Sequence, residues 1–276
     1  MTELERPIVM GVLNVTPDSF SDGGLYLDAG AAVAHAEEMA AAGAAIIDVG
    51  GESTRPGAQP VPEREELERV IPVVERIAVD AEPTVSIDTR KLAVAEAAVQ
   101  AGARIVNDVS AFRSDPGMAG LVASAGATCC LMHMLGDDPR TMQEDPRYED
   151  VVSDVKSFLE ERLAFAVSEG VPEEHVWLDP GIGFGKTIEH NLELIRRLDE
   201  IVAIGRPVVI GTSRKTFLGR ITGRTERERV AGTVAANVLA YERGASIFRV
   251  HDVPEAVDSL EVAAATVAQW TTSPSA

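Results

Sequence analysis

Asp88, Asn107 and Asp179 each close a short apolar run, the runs falling at residues 84–87, 105–106 and 176–178. Two carboxylates and an amide are the groups that pair with a flat heterocycle carrying several N–H donors and a carbonyl. A second set, Arg55, Lys215, Arg249 and His251, offers the cations and donors that hold phosphate oxygens. Together they describe a heterocycle bearing a phosphorylated arm. Asn14, with waters, could complete the octahedron of a Mg²⁺ held mainly by substrate phosphates, because this ion usually keeps several waters.

Several of these residues also have plainer readings. Asp88, ahead of Thr89, could cap a following helix. His133 stands between Met132 and Met134 and reads as a satisfied core histidine. The run from Asp179 to Thr187 is glycine-rich, but Pro180 stands where a P-loop needs glycine, and the dinucleotide spacing is absent. Such a loop more simply lets a ligand approach the backbone, with Phe184 as an apolar wall. A Schiff-base role for Lys215 is weakened by its polar neighbours Arg214 and Thr216.

The elements that must position these residues follow from a repeated phrase. Ala42-Gly-Ala, Ala101-Gly-Ala, Ala125-Gly-Ala and Arg243-Gly-Ala each precede a short apolar run. Each reads as a helix ending on a glycine able to take positive φ, followed at once by a strand. Further strands at residues 8–13, 84–87, 176–178 and 207–210 bring the count to eight. Between them the sequence predicts helices: one from Glu63 after Pro62, one begun by Asp115-Pro116, a long one over 151–168 ending at Gly170, and one reaching Tyr241 from a Thr225/Glu228 capping box. Eight βα units at 276 residues match an α/β chain folded as a single-domain (β/α)8 TIM barrel over residues 1–270, with 271–276 as a disordered tail. An open doubly wound sheet is the alternative.

In such a barrel the strand C-termini carry the chemistry. Here they read Asn14, Asp48 with Gly50 to Arg55, Asp88, Asn107-Asp108, His133, Asp179, Ser213 to Lys215, and Arg249 to His251. The segment after the first strand, Asn14 to Gly24, is too rich in Pro, Ser, Asp and Gly to be regular, and has the make-up of a lid.

Composition narrows the partners. Lys+Arg 25 against Asp+Glu 44 gives a net charge of -19, which repels nucleic acid and anionic membranes, so an anionic substrate must meet a local basic pocket. The same charge would suit a salty cytoplasm. Cys129 and Cys130 lie in an apolar run and read as buried thiols of a reducing compartment. The first seven residues lack the character of a signal peptide, and the longest apolar run, 39–47, is too short to span a bilayer; the expectation is a cytoplasmic protein.

Taken together, residues 11–24, 48–57, 86–89, 105–108, 131–134, 178–186, 211–215 and 249–252 closely resemble the motifs of dihydropteroate synthases, in order and across nearly the whole chain. The resemblance implies a (β/α)8 enzyme that joins 4-aminobenzoate to (7,8-dihydropterin-6-yl)methyl diphosphate, releasing diphosphate. It implies that Asp88, Asn107, Asp179 and Lys215 hold the pterin and that Asn14 sits at the Mg²⁺. Thr54, Arg249 and His251 would bind the diphosphate, and Phe20, Arg55, Pro56, Phe184 and Ser213 would shape the aminobenzoate pocket. Asp22, on the closing loop, would join Asp88 and Asp179 in stabilising a cationic pterin methylene, and loops 15–24 and 52–60 would exclude water. It also implies a homodimer through the late helices. Rival readings are a folate-type methyltransferase, which would not need the Asn14 loop or the diphosphate set, and a non-catalytic pterin-binding paralogue.

Overall fold

The computed structural model describes residues 6–16, 25–53, 58–79, 82–138 and 141–267, so the expected tail at 271–276 lies outside the described residues. Eight strands run in chain order: β1 (Ile8–Asn14), β2 (Ile46–Gly50), β3 (Thr84–Asp88), β4 (Ile105–Asp108), β5 (Thr128–Met132), β6 (Val176–Asp179), β7 (Val209–Ile210) and β8 (Ile247–Val250). All pair in parallel, in the order β6-β5-β4-β3-β2-β1-β8-β7, and the isolated bridge Leu178↔Val208 joins the two ends. The result is a (β/α)8 TIM barrel, as the glycine-phrased repeats predict.

The helices on its outside include α1 (Leu25–Ala41), α2 (Glu63–Ile77), α3 (Leu92–Gln100), α4 (Gly117–Ala125), α5 (Val151–Ser168), α6 (Ile188–Arg196), α7 (Leu198–Val202), α8 (Thr216–Thr222), α9 (Val230–Glu242) and α10 (Val253–Val267). The glycines of the four repeated phrases, Gly43, Gly102, Gly126 and Gly244, all take positive φ, the conformation that ends a helix cheaply only without a Cβ. α4 starts one residue later than the Asp115-Pro116 reading: Pro116 is the N-cap, and Asp115 Oδ1, just before it, accepts the Gly117 amide at 3.0 Å. The Thr225/Glu228 capping box forms, but around a short 3₁₀ turn at Glu226–Glu228; the α-helix proper begins at Val230.

Strand parity sorts the side chains into two cores. Val9, Ile47, Val85, Val106, Leu131, Leu178 and Phe248 belong to the large outer core shared with the helices. Met10, Ile46, Ile105, Cys130, Val209 and Ile247 form a separate inner cluster that plugs the bottom of the barrel. Two residues further along each strand, on the same inward parity, stand Val12, Asp48, Asn107, Met132, Gly211 and Arg249. The apolar plug therefore forms the base on which a polar layer rests, and the cysteine pair divides between the cores, both thiols buried.

Candidate active site

The polar layer is held by ion pairs across the barrel. Arg249 Nε donates to Asp48 Oδ2 at 2.6 Å and its Nη2 to Asp88 Oδ2 at 2.7 Å, while Asn107 Nδ2 donates to the same Asp48 oxygen at 3.0 Å. Asp88 therefore points into the barrel and caps no helix; α3 starts from Lys91 without a side-chain cap, and the Thr89 hydroxyl accepts the Lys91 amide at 3.2 Å just before it. Burial raises the Asp88 carboxyl well above its ordinary range, and Arg249 opposes the rise. Burial likewise raises Asp179, against the Gly181 amide that Oδ1 accepts at 2.6 Å and the nearby Lys215. Arg249 stays a cation among these carboxylates, which outweigh its own desolvation.

Above this layer opens a cleft of about 520 Å³ at the C-terminal ends of the strands. It is lined by every described member of the predicted set: Asn14, Asp88, Asn107, Asp179, Phe184, Ser213, Lys215, Arg249 and His251. Phe20, Asp22, Thr54, Arg55 and Pro56 lie outside the described residues. The Lys215 ammonium sits 4.2 Å from the centroid of the Phe184 ring, a cation–π contact that joins the β6 loop to the β7 loop. The Ser213 hydroxyl accepts the His251 amide at 3.1 Å and lies 3.0 Å from His251 Nδ1, which fixes the imidazole at the end of β8. Arg214, between Ser213 and Lys215, also lines the cleft and forks onto Asp252 at 3.0 and 2.5 Å.

The glycine-rich loop earns its composition at Gly181: φ is +67°, and a Cβ there would meet the His133 carbonyl at 1.9 Å. Lys186, at the loop's end, is buried; its Nζ lies 2.8 Å from His133 Nδ1 and donates to the Phe184 carbonyl at 3.0 Å. Burial and the Lys186 charge push His133 down to about 2, so it is the satisfied neutral histidine expected. Burial lowers Lys186 in turn, to about 7. The second loop is anchored by Glu52, which pairs with Arg90 and Lys91, the latter also gripping buried Glu66. Asp108, in contrast, faces outward and caps its own loop, accepting the Ser110 and Phe112 amides at 2.7 and 2.9 Å. The sequence reading put Asp48 and Glu52 on the rim of strand ends without giving either a role, and gave none to Lys186. A usable signal existed for Asp48, two residues beyond Ile46 on an inward parity.

Among the described residues, no group of three His, Cys, Asp or Glu side chains could hold a metal. Asn14 does line the cleft, and an amide of this kind carries one hard oxygen, which beside a polyanionic ligand is a donor that suits Mg²⁺.

The pattern describing the family "Pterin binding enzyme" matches residues 10–251. Dihydropteroate synthase of Escherichia coli strain K12 is 48% identical over 265 residues, which is 96% of this chain and 93% of that protein. The chain belongs to the dihydropteroate synthase family. Solved synthases agree in architecture. That of Xanthomonas albilineans with 4-aminobenzoic acid superposes with a TM-score of 0.90 at 48% identity, covering 96% of this chain and 94% of that one. The same organism's synthase in complex with 7,8-dihydropteroate gives 0.86 at 45% identity, covering 96% and 95%. The synthase motifs seen in the sequence thus coincide with the lining of the cleft.

Proposed function

We propose that this chain is a dihydropteroate synthase, condensing (7,8-dihydropterin-6-yl)methyl diphosphate with 4-aminobenzoate to give 7,8-dihydropteroate and diphosphate. The observation that carries the reading is the meeting of two opposed sets of groups in one cleft of a family member. Asp88, Asn107 and Asp179 face it from β3, β4 and β6; Lys215, Arg249 and His251 face it from β7 and β8.

In this reading Asp88, Asn107, Asp179 and Lys215 hold the pterin, the carboxylates accepting its N–H groups. Arg249 and His251, with Thr54, bind the diphosphate. The C–O bond breaks first, its electron pair leaving on the diphosphate, where Arg249 meets the growing charge. The methylene carbon left behind is cationic, and Asp88, Asp179 and Asp22 stabilise it. The amine lone pair of 4-aminobenzoate then forms the C–N bond and the nitrogen releases its proton, so no strong general base is required. Phe184, Ser213, Phe20, Arg55 and Pro56 shape the arylamine's place. A Mg²⁺ at Asn14 would supply further neutralisation of diphosphate charge. Closure of loops 15–24 and 52–60 would keep water from the cation. A homodimer through the late helices and a cytoplasmic location complete the proposal; no described helix is long and apolar enough to cross a membrane.

The deciding experiment is a diphosphate-release assay with the pterin diphosphate and Mg²⁺, run with and without 4-aminobenzoate. Release that depends on the arylamine, with equimolar dihydropteroate, is expected. Pterin binding without release would turn the reading to a non-catalytic paralogue.

A further inference from the structure

Asp48 is fully buried beneath the cleft and does not line it, so it has no direct access to a ligand. Its Oδ2 nevertheless receives both Arg249 Nε at 2.6 Å and Asn107 Nδ2 at 3.0 Å. These two donors belong to β8 and β4, on either side of β2, and they face opposite ends of the ligand in the reading above. A carboxylate inside a protein core is costly unless paired, and this one is paired with two groups of the site and, through Oδ1, with no other described residue.

We propose that Asp48 is a positioning residue that sets the diphosphate-facing guanidinium and the pterin-facing amide in one fixed relation. The inference rests on the proposed synthase reading. The guanidinium is a rigid planar fork, so two anchored nitrogens fix its plane. Asp48 holds Nε from below, while Nη2 rests on Asp88 at 2.7 Å, within the cleft. Nη2 is the edge that exchanges onto a diphosphate oxygen, and that exchange releases the Asp88 carboxylate to face the pterin. Asp48 also holds the Asn107 amide in the orientation that presents its carbonyl upward, because the amide nitrogen is committed below. A neutral residue at 48 would leave Arg249 with Asp88 as its one charged partner, and the arm and ring subsites would no longer be in register.

The test is Asp48→Asn, which keeps shape and an acceptor but removes the charge. Two readouts are used: calorimetric binding of inorganic diphosphate with Mg²⁺, and steady-state kinetics. Loss of a charge-assisted contact predicts diphosphate binding and KM for the pterin diphosphate weakened by about 10-fold or more, with KM for 4-aminobenzoate within about 2-fold of the parent. In an Arg249→Lys background the same change should have a much smaller effect, because Asp48 acts through Arg249. Unchanged diphosphate binding, equal losses for both substrates, or full additivity with Arg249→Lys would each overturn the assignment. If Asp48→Asn loses its cooperative melt, Asp48→Ser, smaller and still polar, is read by the same binding assay. A parent protein that binds diphosphate but forms no dihydropteroate overturns the synthase reading, and the calorimetry still decides the role of Asp48.

Discussion

The ammonium of Lys186 lies 2.8 Å from Nδ1 of His133, and both side chains are buried. The pair ties the end of β5 to the loop that carries Phe184 and keeps the imidazole neutral, pushed down to about 2 from 6.5. Below pH 6.5 the unfolded chain takes up a proton at His133 that the folded chain refuses, so stability falls as pH falls. Each pH unit below 6.5 costs on the order of 1 kcal/mol from this group. Urea unfolding at pH 5.5 and 7.5 should show the slope, and His133→Gln should flatten it by that amount.

Gly181→Ala should be among the most damaging single-methyl additions in the chain. The added carbon would sit 1.9 Å from a backbone carbonyl, at a φ of +67°. A loss of about 3 kcal/mol or more is expected by chemical denaturation, with activity falling as Asp179 loses the amide it accepts.

Lys215→Ala and Arg249→Ala should each lower turnover by about 10²–10³-fold, with far-UV dichroism unchanged. Their stabilities should diverge. Removing Lys215 gives up a partly exposed contact with Phe184, about 1 kcal/mol. Removing Arg249 strips the cation from buried Asp48 and partly buried Asp88, about 3–5 kcal/mol. Equal melting temperatures for the two variants would contradict the ion-pair layer.

The raised Asp88 carboxyl should give the rate its acid limb. Burial is the main cause, with the charges of Asp48, Glu66 and Asp108 adding to it and Arg249 opposing. Because the folded value is raised, Asp88 protonates earlier as pH falls, and the limb of kcat/KM should lie above the ordinary carboxylate range. Finding the limb within the ordinary carboxylate range in the parent, or unchanged in Asp88→Asn, would assign it elsewhere.

Chelation separates chemistry from folding. With no described cluster of three acidic or imidazole ligands, a divalent ion should contribute little to stability in the absence of a phosphorylated ligand. Excess chelator should abolish turnover, leave the melting temperature unchanged, and be reversed by added Mg²⁺. Full activity in chelator removes the role proposed for Asn14.

The strands were legible because glycine phrases mark four of the eight entries into the sheet, short apolar runs mark the other four, and polar residues at strand ends marked the rim. What the sequence could not separate was the direction in which adjacent acids point. Asn107 faces the cleft and Asp108, one residue on, staples its own loop; the difference is parity, known only once register is known. The Arg249 pairs were equally hidden, since they join residues 201 and 161 positions apart. Lys186 was visible only as the end of a glycine run. Its burial depends on β5 and α5 packing beside that loop, with the His133 ring lying edge-on to Phe158 4.9 Å away.

The barrel closes between β6 and β7 through the bridge Leu178↔Val208, with the Leu178 amide on the Pro207 carbonyl at 3.0 Å, whereas the other neighbours share continuous ladders. Asp179 ends one of these two staves, and the turn carrying Ser213 and Lys215 leaves the other. Amide exchange should therefore be fastest along this seam, the one place in the described ring where neighbouring staves are joined by a single bridge.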